Sequence, residues 1–412
     1  MKLACVVHRF GTDIAGGSEG HCRLIAEHLA ARHDVTILTT CAKDHITWRN
    51  HYPPGESLIA AVPPAAAKAG PGGGGPVSPK PGTGEGGTLR VIRFPVARER
   101  DMRRFMDLSD LIAADRATLD EQEQWFRENG PDAPGLLEHL RQHAAGYDRV
   151  LFWAYRYSGS YFGLPLIARG AVLVPTAEDD PLIHADVLAA FFARPKGFLF
   201  LTPEEETLVA AQAPAGRPSA IIGSGLDPAP DRVDRAPLEG LRLTDPFVLY
   251  LGRIDPNKGC AILLRHFTRY AESNAGVQLV MAGPASMPIP DHPQIRALGF
   301  VDEATREALL NAARALIMPS PYESLSMVLL EAWNRGLPAL VNARCKVLRG
   351  QVERADGGLY YGNAVEFSAA LDYLIDHPAE AHQLGRQGLA YVDREYRWPT
   401  VMEKIERVLH TV

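Results

Sequence analysis

Short apolar runs alternating with amphipathic stretches most constrain what this chain can fold into. In its first half the runs fall at residues 3–7, 35–39, 89–94, 150–153, 171–174, 197–201 and 220–222. Leu24, Ile25 and Leu29 form a helical stripe after the first run, and a mostly helical, polar region covers 99–145. Continuous runs this short suit buried strands, and strands alternating with helices predict a parallel sheet covered on both faces. The pattern restarts at 247–252 and continues at 278–282, 315–318 and 338–341, with a helical stretch over 366–412. Between the halves, residues 227–245 mix charges with Pro228, Pro230 and Pro237, the composition of an interdomain linker. The expected architecture is α/β, with two Rossmann-like domains whose carboxyl strand edges face each other across a cleft. The first would span 1–230 and the second 245–395. Residues 62–88, rich in Pro, Gly and Ala without periodicity, cannot bury a core and read as a mobile loop.

Composition excludes several classes of function. The 412 residues are 46% hydrophobic and 22% charged, with a net charge of −6 and a pI near 6.2, so no basic balance points to nucleic acid. Cys5, Cys22, Cys41, Cys260 and Cys345 are scattered, with no CxxC pair, and read as reduced thiols of a cytoplasmic protein. The apolar run after Met1 is too short for a signal peptide. No stretch of about 18 apolar residues predicts a spanning helix. Peripheral membrane contact stays open, as does oligomeric state.

The chemistry gathers in the second half. The run at 315–318 leads into Pro319, Ser320, Pro321, Tyr322 and Glu323, and then into a segment containing Glu331. This reads as a buried strand end, a polar turn carrying Glu323, and a buried helix with Glu331 about two turns inside it. Such a turn offers free backbone amides to a phosphate and carboxylates to sugar hydroxyls. Arg253 and Lys258 bracket the turn after the strand at 247–252, with Gly259 at the start of a helix: either a diphosphate clamp or two solvated charges. Gly16 and Gly17 follow the first strand without a GxGxxG fingerprint, so a dinucleotide cofactor is poorly supported. Ser18 is a candidate N-cap of the following helix. Gly223 to Asp227 and Gly299 to Asp302 are either loops beneath a nucleotide or plain turns. Glu178, Asp179 and Asp180 could hold a divalent metal or form a solvated loop. His8 and His21 flank the glycine loop and read as ordinary core or surface histidines.

In this order and over nearly the whole chain, the segments resemble the retaining glycosyltransferases of family 4, which have the GT-B fold. The ending, Tyr396 to Thr400 before a last helix, is similar too, and implies that 396–412 complete the first domain. The resemblance implies that Arg253 and Lys258 neutralise the donor diphosphate in place of a metal, so neither metal nor cofactor is expected. Glu331 would bind the ribose hydroxyls; Glu323 and the amides of Ser324, Leu325 and Ser326 would hold the sugar and diphosphate. Gly16, Gly17 and Gly225 would let loops approach the donor, and Phe300 and Val301 would lie along the base. The implied activity is hexosyl transfer, with mannose or glucose as first guesses. The donor would be a UDP- or GDP-sugar and the acceptor a carbohydrate or other hydroxyl, in carbohydrate biosynthesis. Family members often carry a histidine where this chain has Glu178. Two alternatives stay in view: another GT-B enzyme, such as an epimerase or phosphorylase, or, made thinkable by that departure, a non-catalytic nucleotide-sugar-binding protein.

Overall fold

The computed structural model describes residues 1–14, 16–61, 87–230, 232–241, 243 and 246–412. The anticipated loop at 62–88 lies almost wholly outside the described residues. The chain divides into two compact units: residues 1–225 with 401–412, and residues 226–400.

In the first unit the strands are β1 (Lys2–Val6), β2 (Asp34–Thr40), β3 (Gly55–Ala60), β4 (Thr88–Phe94), β5 (Arg149–Trp153), β6 (Ala171–Val174), β7 (Gly197–Phe200) and β8 (Ser219–Ile221). Among the described residues they form one sheet in the order β3-β4-β2-β1-β5-β6-β7-β8, parallel except for the β3–β4 pair. Its helices are α1 (Gly17–Leu29), α2 (Met102–Ala113), α3 (Leu119–Asn129), α4 (Pro134–His143), α5 (Ser158–Gly163), α6 (Val187–Phe192) and α7 (Pro203–Ala210). The centre of the sheet is apolar on both faces, as parallel strands require: Leu3 to Val6 and Val150 to Trp153 are buried throughout. The region at 99–145 is polar outside but carries large core aromatics. Trp125 and Phe126 on α3 pack with Phe152, Tyr155 and Phe192. Thr118 starts α3 with a capping box: its hydroxyl accepts the Glu121 amide and its own amide is taken by the Glu121 carboxylate.

In the second unit, β9 (Phe247–Leu251), β10 (Gln278–Ala282), β11 (Ile295–Gly299), β12 (Ala315–Met318), β13 (Ala339–Asn342) and β14 (Gly358–Tyr361) give the order β11-β10-β9-β12-β13-β14, all parallel. Its helices are α8 (Cys260–Ala271), α9 (Glu303–Ala312), α10 (Met327–Trp333), α11 (Lys346–Ala355), α12 (Ala364–Asp376) and α13 (Pro378–Glu395). Its core packs Leu263 and Phe267 of α8, and Phe367 and Leu371 of α12, with Leu279 and Ile317 of the sheet. The last helix, α14 (Trp398–Thr411), places Val401, Ile405, Val408 and Leu409 in the interior, and Arg149 Nε donates to the Leu409 carbonyl at 2.8 Å.

Three strands escaped the sequence pattern: β3, β11 and β14, each at a sheet edge. They bury too few consecutive apolar residues to leave the continuous run that marks a central strand, and that the edge strand β8 also shows.

Candidate functional site

At the carboxyl end of β9, Gly252 adopts φ 138° and Gly259 φ 74°, both in the region that favours glycine. A Cβ on Gly259 would run into the Pro319 carbonyl oxygen, and one on Gly283 into the Gly252 carbonyl oxygen. The loops after β9, β10 and β12 therefore approach each other at backbone distance. Tyr250 donates its hydroxyl to the Arg253 carbonyl at 2.7 Å, fixing the backbone that carries Arg253. Asp255 caps the short turn Pro256–Lys258 by accepting from Asn257 N at 2.8 Å.

This close approach brings Lys258 and Glu323 together across two loops. Lys258 Nζ donates to Glu323 Oε1 at 2.8 Å, with the side chains 31% and 11% exposed. The Cys345 thiol, at the start of α11, takes the backbone amides of Leu348, Val347 and Glu323, and burial pushes it up to about 12. Asn342 donates to the Pro319 carbonyl at 3.0 Å, tying the Glu323 loop to the end of β13. Beyond that loop Ser326 caps α10 by accepting from Leu329 N at 3.2 Å.

Glu331 lies a little more than one turn into α10, since the helix begins at Met327 rather than earlier. Its Oε2 is buried and faces the Arg306 guanidinium on α9. Burial raises the carboxyl and Arg306 opposes that rise, with the raised direction prevailing. Arg306 also meets Glu303 at 3.0 Å and Glu307 at 3.8 Å, and Arg335 pairs with Glu307. Phe300 and Val301 follow β11, whose Gly299 carbonyl accepts from Gly283 N at 2.7 Å; Phe300 is 82% exposed. Within this unit Arg253, Lys258, Glu323, Ser324, Leu325 and Ser326 all lie on the neighbouring β9 and β12 loops at the carboxyl edge.

The first unit is more closed at its glycine loop. The α1 helix begins at Gly17 with Gly16 as N-cap, so Ser18 is not the cap; its hydroxyl donates instead to Glu19 Oε2 at 2.9 Å. The Glu19 carboxylate folds back on Gly16, where a Cβ would collide with it, while Gly17 has open space. Glu19 also meets His8 Nε2 at 2.8 Å and Arg9 Nε at 2.9 Å. Burial penalises this carboxylate, but His8 and Arg9 outweigh it and hold the group well below the usual range. His8 stacks on Tyr157 with ring centroids 3.6 Å apart.

His21 is buried between two partners that fix its tautomer. Trp153 Nε1 donates to His21 Nδ1 at 3.0 Å, so Nε2 carries the proton and donates to the Gly223 carbonyl at 2.7 Å. Burial lowers it to about 4 and keeps the ring neutral. The glycine loop before Gly225 is thus tied to α1 and β5.

Two of the three adjacent acids share one cation and the third meets a histidine. Arg156 Nη2 lies 2.7 Å from Asp180 and 3.8 Å from Glu178, and His184 is 3.2 Å from Asp179. Among the described residues no three His, Cys, Asp or Glu side chains are grouped to hold a metal ion. Thr176, just before Glu178, has φ 50°, an uncommon backbone state for a β-branched residue. Buried Glu205 secures this bend by accepting from Ala177 N at 2.6 Å and from Leu201 N. Arg306, Arg156, Glu19 and Glu205 all escaped the sequence reading: each acts through a partner distant in sequence or sits in an ordinary helical context.

Among the described residues no helix is long and apolar enough to cross a membrane. Residues 245–377 match the family described as glycosyl transferases group 1. The chain is 29% identical over 165 residues to a glycogen synthase of Mycobacterium tuberculosis, covering 37% of this chain and 40% of that protein. It therefore spans about two fifths of that curated relative. Among solved structures, Anabaena HepE in complex with UDP-glucose matches 100% of both chains at 15% identity, with a TM-score of 0.67. The sucrose-phosphate synthase from Thermosynechococcus elongatus covers 100% of this chain and 98% of its own, at 17% identity and a TM-score of 0.66. The two-sheet architecture is the GT-B fold.

Proposed function

We propose, from a second unit that carries a glycosyl transferases group 1 domain, that this protein transfers a hexosyl group from a nucleotide-diphosphate sugar to an acceptor hydroxyl with retention of configuration. The observation that carries the reading is the Lys258–Glu323 contact, 2.8 Å across the β9 and β12 loops and inside the matched segment. An ammonium and a carboxylate so placed can be shared out again on a ligand: the cation to a phosphate oxygen, the anion to sugar hydroxyls.

In this reading Arg253 and Lys258 stabilise the charge that builds on the diphosphate as the glycosidic bond breaks. Charge stabilisation of this kind is commonly the largest contribution to rate. Glu323 and the amides of Ser324 to Ser326 orient the sugar and the diphosphate. Glu331 accepts from the ribose hydroxyls while Arg306 holds its other side. Phe300 and Val301 lie along the base. A diphosphate oxygen takes the acceptor proton as the hydroxyl attacks the face that the diphosphate leaves, so no metal is assigned. Glu178, engaged by Arg156, stands where family relatives often carry a histidine, and as a carboxylate it can oppose positive charge near the anomeric carbon. The UDP-glucose held by HepE makes glucose the first sugar to try, and mannose the second.

A thermal-shift panel of UDP-, GDP-, ADP- and dTDP-sugars tests the donor site. Stabilisation by one base series, followed by slow donor hydrolysis, supports the reading. No stabilisation by any of them refutes it. Tight binding with neither hydrolysis nor transfer would identify a non-catalytic binding protein instead.

A further inference from the structure

In the first unit one buried carboxylate joins two loops beneath Glu178. Glu205 sits in the first turn of α7 with 1% of its surface exposed. Its Oε1 accepts from Ala177 N at 2.6 Å, in the loop after β6, and its Oε2 from Leu201 N, directly after β7. The Thr202 and Thr176 amides also favour its charged form. Amides from two neighbouring strand ends thus converge on one side chain.

The start of α7 accounts for only part of this. A glutamate at the third helical position commonly reaches back to the N-cap amide. That covers Thr202, whose hydroxyl in turn accepts from Glu205 N at 3.2 Å. It does not cover Thr176 and Ala177, which belong to another strand's loop. Burial also pushes this carboxyl up to about 8, so its charge is unfavourable here, while a threonine hydroxyl already caps the helix.

What the carboxylate holds is a strained bend. Thr176 has φ 50°, a state that a β-branched residue rarely adopts and that persists only where its surroundings impose it. The next residue donates to Glu205, and the one after that is Glu178. The far side is held too: Arg156 Nη2 lies 2.7 Å from Asp180, which accepts from Leu182 N at 3.1 Å. Glu178 is therefore mounted from both sides at the carboxyl end of β6, the edge where ligands of such sheets bind. Its side chain stays 26% exposed.

We infer that Glu205 is a positioning residue for transfer: by fixing the Thr176–Ala177 bend it sets where Glu178 stands relative to the reacting carbon. Buried beneath the loop, it acts through Glu178 and not on the ligand. The inference rests on the reading of Glu178 as the carboxylate that opposes positive charge near the anomeric carbon.

Glu205→Gln keeps the volume and one acceptor oxygen, and turns the other into a donor that opposes an amide. With Glu178→Gln and the double variant it closes a cycle in kcat. In Glu205→Gln, kcat for transfer should fall about tenfold or more with donor KM within about twofold, because the donor loops are untouched. In the Glu178→Gln background the same change should lower kcat by less than about twofold, since the residue it positions is gone. Hydrogen exchange at the Ala177 amide should quicken about tenfold, with the amides of β1 and β5 as in wild type. If Glu205→Gln does not fold, Thr176→Gly combined with it takes its place, because glycine adopts φ 50° without strain, and the same criteria apply. Equal losses of kcat in both backgrounds would show a merely structural carboxylate and overturn the inference. So would unchanged kcat in Glu205→Gln, or full activity in Glu178→Gln. Failure of the glycosyltransferase reading shows elsewhere: wild type itself then neither binds donor nor transfers, and the inference falls with it.

Discussion

In the second unit, Lys258 and Glu323 meet across two loops with their side chains 31% and 11% exposed. In the first, the Glu19 side chain is 6% exposed and enclosed by His8, Arg9 and Ser18 beside the glycine loop. Both lie after strands at the centre of a parallel sheet, and both pair a carboxylate with cations. The difference is access. A partly wet pair can exchange one partner for a ligand group at modest cost, because water has already screened part of its attraction. A sealed cluster cannot, since removing one member strands a buried charge. The first cluster therefore acts as scaffold for the glycine loop, and the second is available for chemistry.

The sharpest way to break this contrast is Glu19→Ala. It leaves Arg9 buried beside an empty place, so the chain should lose about 3–5 kcal/mol in denaturant unfolding. A loss under about 1 kcal/mol would mean that Glu19 is solvated, and the contrast would disappear. Next in size is Lys258→Ala. If the wet pair is the working one, kcat for transfer should fall about 10²–10³-fold while unfolding changes by less than about 1 kcal/mol. Full activity in this variant and in Glu323→Ala would remove both residues from the site.

How far the sequence could be read follows the same division. Lys258 and Glu323 were legible because short turns after apolar runs carry them, and glycines beside them mark the close backbone approach. Glu331 was legible as a residue but not in its setting: Arg306 reaches it from another helix, and no local spacing announces that partner. The same holds for Glu19, whose three partners come from β1's following loop and from Ser18, and for Arg156, which lies between Glu178 and Asp180. Central strands showed as continuous apolar runs, and so did the edge strand β8; the edge strands β3, β11 and β14 did not, because they bury too few consecutive apolar residues to leave one. The N-cap at Ser18 was misread because a glycine loop with a carboxylate folded onto it mimics an ordinary serine start.

His21 offers a third way to sharpen the comparison, through pH. The folded chain holds it neutral, with its value lowered to about 4 from 6.5. Between those values the unfolded chain binds more protons than the folded one. Stability should therefore fall as pH drops from about 6.5 to about 4, by roughly 3 kcal/mol from this residue. His21→Gln can still donate to Gly223 and accept from Trp153, and should flatten that part of the stability profile. An unchanged profile would show that the ring is not sealed.

The smallest effect expected is the most specific, because Glu331 stands between the two cases: its Oε2 is buried, yet its side chain is 23% exposed and open to a ligand. Burial raises its carboxyl, Arg306 opposes the rise, and Glu303 adds to it. Replacing Arg306 with Gln removes the opposition, so protonation should begin at higher pH. If ionised Glu331 accepts from the ribose, the donor KM of wild type rises as pH falls, and in Arg306→Gln that rise starts at a higher pH. A displacement of one pH unit corresponds to about tenfold in KM on the acidic side. Arg306→Lys keeps the charge and should restore most of the profile, whereas a merely structural arginine would change stability and leave the pH at which KM rises where it was. An unmoved KM profile in Arg306→Gln would place Glu331 with Glu19, among the charges that hold the fold rather than the ligand.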